Sequence, residues 1–240
     1  MTLYHPAINR TGAGTRQHRL KFKSTPLEPL IDALAIGVGT PVAIGVTVRD
    51  GELALTLDAE PAIEEAANVM TVQGDGPERS YLRVTVPEPL AVALDLDARG
   101  LRADESTVSE QQAVLPLGGV TQVVDGDPVD ETPIYRTGAH EAVQTYLPPA
   151  IGETLGIDVG DRVRFSLALA DDRPALVVDP TTDTGPATAA IHGVGPDDTQ
   201  LETTLPKAVA HALGIGIGRS GEQGESIRWK RIGEAAVAVF

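Results

Sequence analysis

Residues 19–24 alternate in character, with Leu20, Phe22 and Ser24 on one side of an extended chain and Arg19, Lys21 and Lys23 on the other. Residues 82–86 repeat the pattern, Leu82, Val84 and Val86 being opposed to Arg83 and Thr85. Each stretch predicts a strand with one face in a core and one in solvent. A proline follows, as at Pro148. It ends the strand and suits the first turn of a helix, because it has no N–H to lose there and its φ is already helical. Ile151 and Leu155 stand four apart and give a helix of about two turns an apolar face. Gly156 in this copy, and Gly214 in a later one, stops the helix where a left-handed residue is required. Two more strands are expected, so the unit reads β-α-β-β.

The frame occurs four times. Leu27, Pro87, Pro148 and Pro206 head the copies at spacings of 60, 61 and 58 residues, so a repeat organises the whole chain. Copies one and three share a glycine turn, a strand, a polar turn and a strand, as in Gly39-Thr40-Pro41-Val42 and Gly160-Asp161-Arg162-Val163. Copies two and four carry a longer polar loop containing Glu105-Ser106 or Glu225-Ser226. This A-B-A′-B′ order divides the chain near residue 120. One unit of about forty-five ordered residues has too little core to stand alone, so the units must interlock in pairs. The expectation is a mainly β protein with short helices: a flexible basic arm over 1–15, a first barrel over 16–120 and a second over 135–240. Short connections favour pairing of sequential copies, and pairing one with three and two with four is the alternative.

Copy three carries Pro148, Leu155, Gly156, Ile157, Gly160, Asp161 and Val163 in one frame, and copy two carries Arg83-Val84-Thr85-Val86-Pro87. These residues resemble the AbrB, MazE and SpoVT family of swapped-hairpin barrels. The resemblance implies that two β-α-β-β units exchange hairpins to form one small barrel, and that four units in one chain give two barrels. It also implies double-stranded DNA binding through basic residues on one barrel face, or an antitoxin-like, adaptor or oligomerisation role. Where the family pattern most often has arginine, four residues before the proline position, this chain has Lys23, Arg83, Gln144 and Glu202. DNA binding is therefore expected of the first barrel, with a protein partner or homo-oligomerisation left to the second.

Charge sharpens that division. Asp and Glu number 34 against 19 Lys and Arg, giving a net charge of −15, and lysine occurs only at positions 21, 23, 207 and 230. An acidic, lysine-poor surface is read as that of a halophile's protein, suited to a salt-rich cytoplasm where charges are screened within about 3 Å at 1 M salt; an ordinary acidic protein is the competing account. Residues 1–25 nonetheless hold Arg10, Arg16, Arg19, Lys21 and Lys23 and no acid, a net +5, whereas the remainder carries a net −20. Arg16, Arg19, Lys21, Lys23 and Arg83 are the candidate nucleic-acid contacts. A basic tail that pairs with the chain's own acids is the competing account. In Arg228-Trp229-Lys230-Arg231, a core tryptophan competes with a base-stacking one, and the core is favoured. No apolar run is long enough to span a membrane, and the basic N-terminus lacks an apolar signal region, so a cytoplasmic protein is expected.

Catalytic signals are weak. Cysteine is absent, which excludes disulfides, thiolate nucleophiles and cysteine-ligated metal. His5, His18, His140, His192 and His211 form no i, i+4 pair and have no carboxylate at ligand spacing. Gly214-x-Gly216-x-Gly218 follows a helix rather than a strand and is explained by the repeat, and Gly218-Arg219-Ser220-Gly221 is no nucleophile elbow. Asn9-Arg10-Thr11 matches a glycosylation acceptor by chance in a chain without a signal peptide. No enzyme, cofactor or metal site is expected.

Overall fold

The computed structural model describes residues 3–10, 16–61, 66–75, 81–137, 142–197, 199–215, 226–233 and 235–239. The chain divides into two units, Met1–Thr121 and Gln122–Phe240. Both are mainly β with short helices.

In chain order the first unit comprises β1 (Ala7–Arg10), β2 (Arg16–Lys21), α1 (Pro29–Ala33), β3 (Pro41–Arg49), β4 (Glu52–Asp58), β5 (Val69–Thr71), β6 (Gln73–Asp75), β7 (Tyr81–Val86), α2 (Glu88–Ala93), α3 (Leu96–Arg99), β8 (Thr107–Ser109) and β9 (Gln112–Pro116). The second comprises β10 (Asp127–Thr137), β11 (Ala142–Leu147), α4 (Pro149–Leu155), β12 (Arg162–Ala170), β13 (Arg173–Pro180), β14 (Thr188–Val194), β15 (Gln200–Leu205), α5 (Lys207–Ala212), β16 (Ser226–Ile232) and β17 (Ala235–Val239).

The second unit is a closed barrel of order β10-β11-β15-β14-β12-β13-β17-β16. Its connectivity is that of two interlocked repeats. β10 and β11 form one hairpin and β12 and β13 the next, yet neither hairpin of the repeat pairs with the other. β11 lies instead against β15, β13 against β17, β12 against β14 and β10 against β16, all from the other repeat. The first unit follows the same plan in two sheets, β1-β2-β7-β6 and β5-β3-β4-β9-β8. The counterpart of β14 is divided here at Val72, whose N–H donates to the Thr40 carbonyl at 2.9 Å; Ile191 makes the matching bond to Asp161 at 2.8 Å.

Each repeat therefore reads β-β-α-β-β, one strand more than expected. In the first repeat the extra strand is β1, so residues 7–10 belong to the sheet and not to a flexible arm; residues 11–15 lie outside the described residues. In the third repeat it is β10, which brings residues 127–134 into the barrel, and the second unit itself begins at Gln122. Two prolines and three acids hide the alternation of β10, although Thr132 and Ile134 point inward and are buried. The ladder accommodates Pro128 by a bulge between Pro128 and Asp130.

Pro87, Pro148 and Pro206 do not enter the first helical turn. They stand immediately before it, with φ of −52°, −55° and −57° and extended ψ, closing the strand and aiming the chain into the helix. The helices end in left-handed residues: Gly156 (φ 61°) after α4 and Gly214 (φ 77°) beyond α5, but Ala35 (φ 50°) after α1 and Asp95 (φ 51°) after α2. Leu20, Phe22, Leu55 and Val84 are among the fully buried residues of the first unit, and Trp229, Phe165, Ile151 and Val237 among those of the second. Trp229 is a core residue, and base stacking is not open to it. Its indole N–H donates to Thr132 Oγ1 at 2.7 Å, and the Thr132 hydroxyl donates to the Tyr146 carbonyl at 3.0 Å, tying β16 through β10 to β11.

Candidate nucleic-acid interface

Alternation along β2 buries His18 and Leu20 and turns Gln17, Arg19 and Lys21 outward. Antiparallel pairing with β7 sets Arg19 opposite Thr85 and Lys21 opposite Arg83. Since directly opposed residues share a face, Arg19, Lys21 and Arg83 occupy one face of the β1-β2-β7-β6 sheet. β6 adds Gln73 opposite Arg83, and β1 adds Ala7 opposite Arg19. The face includes two adjacent rows, Gln73-Arg83-Lys21 and Ala7-Arg19-Thr85, about 7 Å apart along the strands, with Gln17 beyond the second.

Amides orient both guanidinium groups. Arg19 Nη2 donates to Gln17 Oε1 at 2.6 Å, and Arg83 Nη2 donates to Gln73 Oε1 at 3.2 Å. Neither Arg19 nor Lys21 forms an ion pair among the described residues. A patch of positive charge on a net acidic chain attracts an anion locally, because at physiological salt only charges within about 8 Å are felt strongly.

The other two candidates lie elsewhere. Arg16 has the opposite parity on β2, that of His18, and its Nη1 pairs with Asp97 Oδ2 at 3.3 Å. His18 Nε2 meets the other oxygen of the same carboxylate at 2.7 Å. Lys23 lies in the turn beyond β2, exposed to solvent. Lys23 is also not the counterpart of Arg83. Exchanging β2 and β7 maps the pair Arg19/Thr85 onto Arg83/Lys21, so Arg19 is the partner of Arg83 across the local two-fold. The same exchange in the second unit relates Gln144 to Glu202. Copy one carries extra residues between strand and helix, including Pro26, and there Thr25 Oγ1 bonds back to the Lys21 carbonyl at 2.5 Å.

The equivalent face of the second unit has different chemistry. Gln144 stands at the position of Arg19, Tyr146 at that of Lys21 and Glu202 at that of Arg83. Gln144 Nε2 donates to Glu202 Oε1 at 2.7 Å, and the Tyr135 hydroxyl donates to Glu202 Oε2. The Tyr135 and Tyr146 rings lie 5.0 Å apart. Burial first, and then the bond to Glu202, raise the Tyr135 phenol far above its ordinary value. Glu202 is itself buried, so this face holds one carboxylate already satisfied by two donors.

Sequence reasoning found the three cations but not the amides that orient them. Gln17 could have been read from strand parity, whereas Gln73 lies on a strand of three residues with no alternation to show it. Among the described residues no group of three or more His, Asp and Glu is placed to hold a metal, and no helix is long and apolar enough to cross a membrane. Residues 216–225, which include Gly216, Gly218 and Glu225, and His140 lie outside the described residues. No protein-family model matches the chain, and neither a curated protein nor a solved structure matches it.

Proposed function

We propose that the chain is a DNA-binding transcriptional regulator of the swapped-hairpin, AbrB-like class, working in a salt-rich cytoplasm, with the DNA surface on the first unit. The observation that carries this reading is the convergence of Arg19, Lys21 and Arg83 on one outward sheet face, braced by Gln17 and Gln73. Exchange of hairpins between repeats supports the structural class. Cations fixed on a sheet face neutralise phosphates and release counterions, which gives affinity falling steeply with salt, by about 0.9 in log–log slope per phosphate contacted. The test is binding of the full chain to duplex DNA followed by anisotropy across a salt series. Changing Arg19, Lys21 and Arg83 together to glutamate should abolish binding and leave the circular dichroism spectrum unchanged. A parent chain that binds no duplex selected from a random pool at any salt overturns the reading.

The second unit favours a different use of the same frame. With Tyr146 and Glu202 where the first unit has Lys21 and Arg83, its face offers paired aromatic rings and no cation from these positions. Aromatic side chains are enriched where proteins meet proteins, so this unit is assigned to a protein partner or a second copy. Should the parent fail to bind DNA, that role extends to the whole chain as an adaptor.

A further inference from the structure

A barrel formed by two identical repeats would present the same surface in either orientation. This one does not. Under the local two-fold Arg19 and Arg83 exchange, so each half keeps one arginine. Lys21, however, exchanges with Thr85, and Gln73 exchanges with Ala7. One row of the face therefore presents two cations and an amide, and the other a single cation. The arginines are also braced differently, Arg83 from the neighbouring strand β6 and Arg19 from Gln17 on its own strand.

We infer that the first unit binds duplex DNA in one polarity, on a site of two unequal halves in which the Lys21 row makes one more phosphate contact than the Thr85 row. The inference rests on the DNA reading above and specifies its ligand. Fusion of the repeats in one chain is what allows the asymmetry, because a substitution in one copy is not imposed on the other. Lys21 and Thr85 are then the residues that set orientation, while Arg19 and Arg83 hold the complex together from both halves.

The absence of cysteine permits a direct test. Val92 is 39% exposed on α2, which follows β7, so an iron–EDTA chelate on Val92→Cys lies off the two-fold and marks one half of the unit. The full-length labelled chain is bound to a duplex that it has itself selected from a random 25-base-pair pool, and strand cleavage is mapped. Cleavage should fall on one flank. The double variant Lys21→Thr, Thr85→Lys should move it to the opposite flank with the salt slope unchanged, whereas Thr85→Lys alone should cleave both flanks and steepen the slope by about 0.9. Equal cleavage of both flanks by the parent chain, or a double variant that cleaves where the parent does, overturns the inference while leaving DNA binding intact. Unimpaired binding after Arg19→Glu with Arg83→Glu instead overturns the DNA surface itself, so the two failures are distinct.

Discussion

Between β10 and β16 the second unit closes its barrel with six residue pairs, and in the first the corresponding seam holds, among the described residues, a single bridge between Tyr4 and Leu101, each amide donating to the other's carbonyl at 2.8 Å. The same repeat thus tolerates a wide range of closure. What is kept in both units is the burial of the inward strand positions, with Thr145 and Thr203 standing where the first unit has Leu20 and Val84, and a left-handed residue after each first-copy helix. What also changes is the opposite sheet face, where three cations in one unit give way to Gln144, Tyr146 and the buried Glu202 in the other. One strand plan thus carries two sheet faces of different charge.

The comparison can be broken first at Trp229. Truncation to alanine removes a fully buried indole and the donor to Thr132, and should cost about 3–5 kcal/mol. If the units are independent, calorimetry should show the second transition collapse while that of the first stays in place. Alkaline titration is next: burial raises the Tyr4 phenol in the first unit, and burial with the bond to Glu202 raises Tyr135 in the second, so Tyr135→Phe isolates the second unit's share. The folded chain keeps the Tyr135 proton above the ordinary phenol value of 10.0, so there the folded state binds more protons than the unfolded one and stability falls as pH rises. The second unit's melting temperature should decline above pH of about 10, and Tyr135→Phe should flatten that decline.

A smaller effect tests the seam of the first unit. The Tyr4 hydroxyl accepts from the Lys21 amide at 2.7 Å, and Tyr4→Phe should cost about 0.5–1.5 kcal/mol. In hydrogen exchange the Tyr4 and Leu101 amides should open well before those of β10 and β16. The smallest effect is a gain. Ala35 sits at φ 50°, where glycine stands after α4. Relief of about 1–2 kcal/mol of steric strain, set against about 0.5–1 kcal/mol of glycine entropy, should make Ala35→Gly stabilising by up to about 1 kcal/mol in chemical denaturation.

How much of this was legible in the sequence depended on whether a segment had one wet face. β2 and β7 show clean alternation, and the outward set Arg19, Lys21 and Arg83 was readable from it. β10 was not, since its prolines and acids mask the inward Thr132 and Ile134, and it is a strand because β11 and β16 flank it on both sides. Strands of three or four residues, such as β1 and β6, carry too little pattern to be seen at all. The misplacement of Lys23 has a plain cause: counting back from the helix crosses the extra residues around Pro26, whereas ladder register counts from the strand. Arg16 needed a partner from far along the chain, Asp97, to be drawn away from the candidate face.

Because no hairpin pairs with its sibling, a cut in the connection between β13 and β14 would not free a finished piece. Each fragment of the second unit would be left with two hairpins whose edges match only the other fragment. The unit is in effect a clasp, and its halves, expressed as separate polypeptides, should find one another and rebuild the barrel as a two-chain reporter of proximity.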